Sequence, residues 1–184
     1  MLNMDSCFGQ EIRQLVVDGA LSESIYGCDI QPEFFEPGYK LFRNRERLQA
    51  KFLTADIFDH DSSLAKLTGN FNMIYAGSFF HLFDYDDQFK ISKTFATLLF
   101  PESGSTIFDL QVGAVEAAEH AHNLYSREKM YRQNPESREM MWNKIGEEFG
   151  VRFSVKATLQ ELEGKHFQSL SRYVRGIHFV ISRE

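Results

Sequence analysis

The sequence predicts an α/β fold with a mostly parallel sheet and helices on both faces. Three observations point there. Short apolar runs alternate with stretches whose apolar residues recur at helical spacing. Two of the early runs end in an acid, Asp29 and Asp56, 27 residues apart. Residues 151–159 alternate strictly between apolar and polar, the pattern of a strand with one solvated face. Ligands of open α/β sheets bind in the crevice at the carboxyl ends of the strands, where both acids would lie.

Each element has its own signal. Leu2-Asn3-Met4 reads as a short first strand. Phe8, Ile12, Leu15 and Val16 then share one helical face, and Gly19 is a natural stop. The loop from Asn3 to Gly9 carries one glycine where a dinucleotide loop has three. That disfavours pyrophosphate and suits a ligand with adenosine but no phosphates. Residues 24–29 form the second strand and residues 51–56 the third, each buried and each ending in its acid. Between them Pro32 suits a first helical turn, Phe34, Phe35, Leu41 and Phe42 supply apolar positions, and Pro37-Gly38 should kink or split the helix near Glu36.

After a short helix around residues 64–67, residues 71–76 read as a fourth buried strand. Its carboxyl end runs into a Gly-Ser corner flanked by aromatics with one histidine, residues 76–83. Asp84 can cap the next helix, on which Ile91, Phe95, Leu98 and Leu99 share a face. Residues 106–110 give a fifth strand, and residues 111–134, without periodicity, read as a lid, a binding loop or disorder. Pro135 opens a helix with Met141, Ile145 and Phe149 on one face and Gly150 as its stop. The strands at 151–159 and 177–182 are expected to pair antiparallel at one sheet edge.

Composition narrows the function classes. With 184 residues the expectation is one domain, 1–184. No apolar run approaches the ~18 residues of a membrane span, and no basic region followed by an apolar core opens the chain. A net charge of -6 argues against a nucleic-acid binder. Two cysteines, Cys7 and Cys28, make no disulfide framework, so a cytoplasmic setting is expected. Phe numbers 18, more than a small core needs, which hints at an apolar pocket as well.

Two carboxylates at neighbouring strand ends suit a nucleoside, one for the ribose hydroxyls and one for the adenine amine. The competing reading is that Asp29 and Asp56 only cap the helices that follow. Glu119, His120 and His122 do not make a recognised zinc spacing, and no metal is expected. Cys7 sits near a helix N-terminus, which lowers a thiol pKa, but no Cys–His–acid order supports a nucleophile, and it reads as pocket lining. The acids Asp84, Asp86 and Asp87 suit the positive end of a helix and need no calcium.

Three phrases carry a resemblance: residues 8–16 (Phe-Gly-Gln-Glu-Ile-Arg-Gln-Leu-Val), 26–34 (Tyr-Gly-Cys-Asp-Ile-Gln-Pro-Glu-Phe) and 74–83 (Ile-Tyr-Ala-Gly-Ser-Phe-Phe-His-Leu-Phe). With the strand-end acids and the late antiparallel pair, they resemble the class I S-adenosyl-L-methionine (SAM)-dependent methyltransferases. Within these they look like the small fungal enzymes of meroterpenoid and polyketide clusters. The resemblance implies a Rossmann-like seven-stranded sheet of order 3-2-1-4-5-7-6. It implies SAM as cofactor and methyl transfer to a carboxyl or hydroxyl oxygen of a small apolar secondary metabolite.

Carried over by position, Asp29 would grip the ribose diol with Ile30 on adenine, and Asp56 would accept from the adenine amine with Ile57 nearby. Ala76, Gly77 and Ser78 would pass the sulfonium end, and Phe8 and Gly9 would line the methionine side with Asn3. Phe79, Phe80 and Phe83 would wall the acceptor, at least one of them being ordinary core. His81 is the candidate general base for a phenol or alcohol; a carboxylate acceptor needs none. Two departures stand out: Asn3 replaces an acid and Asp5 a glycine, and the chain starts inside the first strand, without the family's N-terminal cap helices. They define the alternative expectation, a shortened, non-methylating pseudoenzyme, or a chain whose cover comes from a homodimer or partner protein.

Overall fold

Strands buried on both faces need no alternation, and the first two have none. β1 (Leu2–Met4) is fully buried, and β2 (Tyr26–Asp29) is buried from Gly27 to Asp29. The structure, a computed structural model, describes residues 1–121, 129–162 and 173–184. β3 (Lys51–Thr54), β4 (Met73–Tyr75), β5 (Thr106–Ala114), β8 (Phe153–Gln160) and β9 (Val174–Arg183) complete a seven-stranded sheet. Its order is β3-β2-β1-β4-β5-β9-β8, the expected 3-2-1-4-5-7-6 once strands of this sheet alone are counted. β1 to β5 run parallel, while β9 is antiparallel to both β5 and β8. A Rossmann-like α/β fold follows.

Helices α1 (Gln10–Val17) and α2 (Phe35–Phe42) lie on one face, over Ile12, Ile25, Leu48 and Ala50 packed with Tyr39 and Phe52. Helices α3 (Tyr85–Leu98) and α4 (Pro135–Phe149) cover the other, over the larger core of Ile74, Phe80, Ile91, Phe95, Ile107, Trp142, Phe179 and Ile181. Both of these are capped as their sequences demand: Asp84 accepts from the Asp87 N–H, and Asn134 and Ser137 form a reciprocal box in front of Pro135.

Several expectations need correcting. The break before α2 falls at Phe34/Phe35, where a one-turn 3-10 helix (Pro32–Phe34) gives way to α-helix. Pro37 lies in the first turn of α2, where its missing N–H costs nothing. Gly38 lets α2 lie against the first loop, because a Cβ there would stand 2.5 Å from the Phe8 carbonyl. Leu41 (67% exposed) and Phe149 (36%) face outward, and α4 buries Arg138 and Trp142 beside Met141 and Ile145. The described residues of the stretch 111–134 are not a structureless loop. β5 continues to Ala114, and β6 (Ala118–Ala121) pairs antiparallel with β7 (Lys129–Arg132) in a separate two-stranded sheet. Backbone pairing overrode the missing periodicity there. His120 belongs to β6; His122 lies outside the described residues.

Candidate functional site

A cavity of ≈ 260 Å³ opens at the carboxyl ends of β1, β2 and β3, roofed by the turn after β4. Met4, Asp5, Asp29, Ile30, Ala55, Asp56, Ile57 and Phe58 line it, with Phe79, Leu82 and Phe83 from the turn. Four of the expected cofactor residues, Asp29, Ile30, Asp56 and Ile57, meet there. Two residues expected at an acceptor, Phe79 and Phe83, share the same space.

Asp29 ends β2 and is 2% exposed. Its Oδ1 accepts from the Gln31 N–H (2.9 Å) and its Oδ2 from the Cys7 N–H (2.8 Å), which fixes the carboxylate in place. A carboxylate accepts about four hydrogen bonds, so each oxygen keeps capacity for a ligand hydroxyl. Asp56 stands two residues beyond β3, exposed at the rim, and its Oδ1 accepts from the Phe58 N–H (2.9 Å). Neither acid caps a helix through its side chain; Asp29 and Asp56 hold turns. Ile57, Ala55 and Phe83 are buried, Ile30 is exposed, and Phe58 and Phe83 meet edge to face at 5.7 Å. The result is an apolar slot with carboxylates at its edge, complementary to a flat heterocycle joined to a diol.

The first loop is wound tightly. Asp5, Cys7 and Gly9 all have left-handed backbone, with φ of 56°, 46° and 70°. Ser6 donates its N–H to the Cys28 carbonyl (2.9 Å) and Gly9 to the Ser6 carbonyl (2.6 Å). Arg13 clamps the loop from α1: its Nη1 donates to the carbonyls of Phe8 (2.6 Å) and Gly9 (3.0 Å), and its guanidinium lies over Phe42 at 4.8 Å. Gly9 suits its left-handed backbone, and a Cβ there would also crowd that Nη1 at 2.6 Å and the Phe52 ring at 3.0 Å. Phe8 meets Phe34 edge to face at 5.4 Å and is not part of the cavity lining. Asn3 is buried in β1 with its Nδ2 unpartnered among the described residues. Burial, then the Asp29 charge, pushes the Asp5 carboxyl up.

Cys7 corrects its expectation. It does not line the cavity, and burial raises its thiol pKa rather than the helix lowering it. The thiol lies near the acids Asp29, Asp5 and Glu11, which push in the same direction.

The turn after β4 divides the remaining expectations. Ala76 is buried, and the place of a Gly77 side chain is filled by the Tyr75 hydroxyl, 2.2 Å from an added Cβ. Ser78 is left-handed (φ 57°). Phe80 is the core residue of the three phenylalanines: fully buried, it packs on Phe95 (5.5 Å) and Phe179 (6.0 Å), away from the cavity. His81 lies in the one-turn helix Phe80–Leu82, half-buried, and the cavity lining does not include it.

Sequence reasoning missed Met4, Ala55, Phe58 and Leu82 in the lining, and Arg13 behind the loop. The first four are immediate neighbours of expected residues. Arg13 had a signal too: a charge beside Ile12 at the start of an amphipathic helix.

No protein-family model matches the chain. It is 39% identical over 169 residues to the O-methyltransferase phiE of a fungal species, covering 90% of this chain and 55% of that protein. It is 38% identical over 156 residues to the methyltransferase adrK of Penicillium rubens, covering 84% and 56%. The chain thus spans about half the length of these relatives. Among solved structures it superposes, with a TM-score of 0.69 and 10% identity, on the 1,6-didemethyltoxoflavin-N1-methyltransferase of Burkholderia thailandensis, over 99% of this chain and 69% of that one.

Proposed function

We propose, for a chain related by sequence to the fungal O-methyltransferases and built on the class I methyltransferase fold, that it binds SAM and methylates an oxygen of an apolar secondary metabolite. The observation that carries this is the meeting of Asp29 and Asp56 at the edge of one apolar slot. The residues fit the group: Asp29 is fixed by two backbone N–H groups with acceptor capacity to spare, and the slot is walled by Ile57, Ala55 and Phe83.

In this reading Asp29 holds the ribose diol and Asp56 accepts from the adenine amine, while Ile30 and Ile57 pack on the ring. A cavity of ≈ 260 Å³ suits one nucleoside better than a nucleoside with an acceptor. Phe79 and Phe83 are therefore assigned to the adenosine side, and the acceptor to the far side of the Ala76–Gly77–Ser78 corner. Asn3, Phe8 and Gly9 belong to the methionine side through the clamped loop. When bound, SAM would supply an electrophilic methyl group open to in-line attack by an acceptor oxygen, with S-adenosylhomocysteine as the leaving group. The chain itself contributes alignment and the exclusion of water. His81 takes the proton of a phenol or alcohol, and a carboxylate acceptor leaves it idle. The names of the relatives favour this over the non-methylating alternative. The free thiols of Cys7 and Cys28 fit a reducing cytoplasm.

Titrating the chain with S-adenosylhomocysteine by calorimetry tests the reading. Micromolar affinity is expected, and no heat at millimolar ligand would overturn it. For an active preparation, His81→Ala should lower kcat on a phenol by about 10²-fold and leave a carboxylic acid acceptor unaffected.

A further inference from the structure

Beneath the turn after β4 lies a charged pair that binding and methyl transfer do not use. Asp109, on β5, is 4% exposed, and Arg138, in α4, is fully buried. Asp109 Oδ1 accepts the Ser78 N–H at 3.0 Å, sharing it with the Leu110 carbonyl at 3.1 Å. Among the described residues, its Oδ2 and all three guanidinium nitrogens of Arg138 lack a hydrogen-bond partner. The guanidinium lies over the rings of Phe179 (4.1 Å) and Phe80 (4.7 Å) instead.

Two residues along the same face of β5, Gln111 repeats the device, its Oε1 accepting the His81 N–H at 3.0 Å. One strand thus spends two buried polar side chains on the backbone of one turn. The first grips Ser78, a residue other than glycine in left-handed conformation. Such a pair is costly: apolar replacements of similar size are often neutral or stabilising. Burial pushes the Asp109 carboxyl up to about 7, opposed first by Arg138, and pushes Arg138 down to about 9.

We propose that Asp109, with Arg138 as its charge partner and Gln111 beside it, is a positioning residue that sets the Ser78–Phe83 backbone and so aims Phe79, Leu82 and Phe83 into the cavity. The consequence for the cofactor rests on the methyltransferase reading; the restraint on the turn does not.

Two double variants of the full chain test it, read by amide hydrogen exchange and by calorimetric titration with S-adenosylhomocysteine. D109A/R138M removes charges and acceptor together; D109N/R138M keeps a neutral acceptor for Ser78. D109A/R138M is expected to fold with the parent's Tm or higher. Its Ser78 amide, left with the Leu110 carbonyl alone, should exchange about tenfold faster and its ligand affinity fall about tenfold, the loss of roughly one hydrogen bond. D109N/R138M should restore both to within about threefold of the parent. A folded D109A/R138M with parental exchange and affinity would overturn the proposal, as would a D109N/R138M equally impaired. Should D109A/R138M fail to fold, Gln111→Leu carries the same test at the His81 amide. If the parent binds no ligand, the methyltransferase reading falls, and exchange at Ser78 still decides the positioning role.

Discussion

The two halves of the site are restrained in opposite ways. On the β2/β3 half, Asp29 and Asp56 hold their own turns, each accepting from the N–H two residues ahead, at Gln31 and Phe58. On the β4/β5 half, the turn is held by side chains about thirty residues away, Asp109 on Ser78 and Gln111 on His81. The first half is thus held by its own turns, with one longer link from the Cys7 N–H to Asp29. The second depends on side chains from β5. Asp29 and Asp109 are both buried, at 2% and 4% exposed, so the contrast lies in place: Asp29 is held by backbone N–H groups at the cavity wall, whereas Asp109 stands outside the cavity lining.

Substitution should break this contrast most sharply at Asp109. Above about pH 7, where Asp109 is ionised, Asp109→Ala alone leaves the Arg138 charge buried and uncompensated and should cost about 3–5 kcal/mol in urea unfolding. Asp29→Ala should cost no more than about 2 kcal/mol of stability, two turn N–H groups losing an acceptor. Equal losses would erase the distinction between the halves.

The same pair has a pH signature. The folded state keeps a proton on Asp109 up to about pH 7, while the unfolded chain releases it near 3.8. That stabilisation is full below about pH 3.8 and is lost as pH rises through about 7, on the order of 4 kcal/mol across the window. Subtracting the stability curve of Asp109→Asn from the parent's should reveal the slope; parallel curves would remove it.

For ligand affinity the order reverses. Asp29→Ala should weaken S-adenosylhomocysteine about 100-fold in calorimetry, because an oriented buried acceptor is lost to the ligand's diol. Asp56→Asn, exposed at the rim, should weaken it only about fivefold. An Asp56 effect as large as that of Asp29 would mean that adenine, not ribose, dominates recognition.

The difference in restraint also explains what was legible in the sequence. Strand-end acids, the caps at Asp84 and Pro135, and the alternation of the β8 segment are local signals, and the Asp29–Asp56 meeting followed from them, while the sheet order came with the family resemblance. Phe80 looked the same as Phe79 and Phe83, because a run of aromatics does not say which side chain points into the core. Asp109 stood within a recognisable strand, but only the fold shows that it and Gln111 face the turn between Ser78 and His81. Residues 118–132 carry little apolar periodicity, since their β6–β7 pairing is a backbone matter.

The first loop has a consequence for how this chain could evolve. Asp5 and Cys7 occupy backbone conformations that favour glycine. A laboratory selection for heat resistance should therefore find Asp5→Gly early, a gain of about 1 kcal/mol from relieved torsion. It would also remove an acid from the cavity wall, so the easiest thermostable descendants would carry an altered ligand pocket. Selection for hardiness and selection for recognition would pull on one residue.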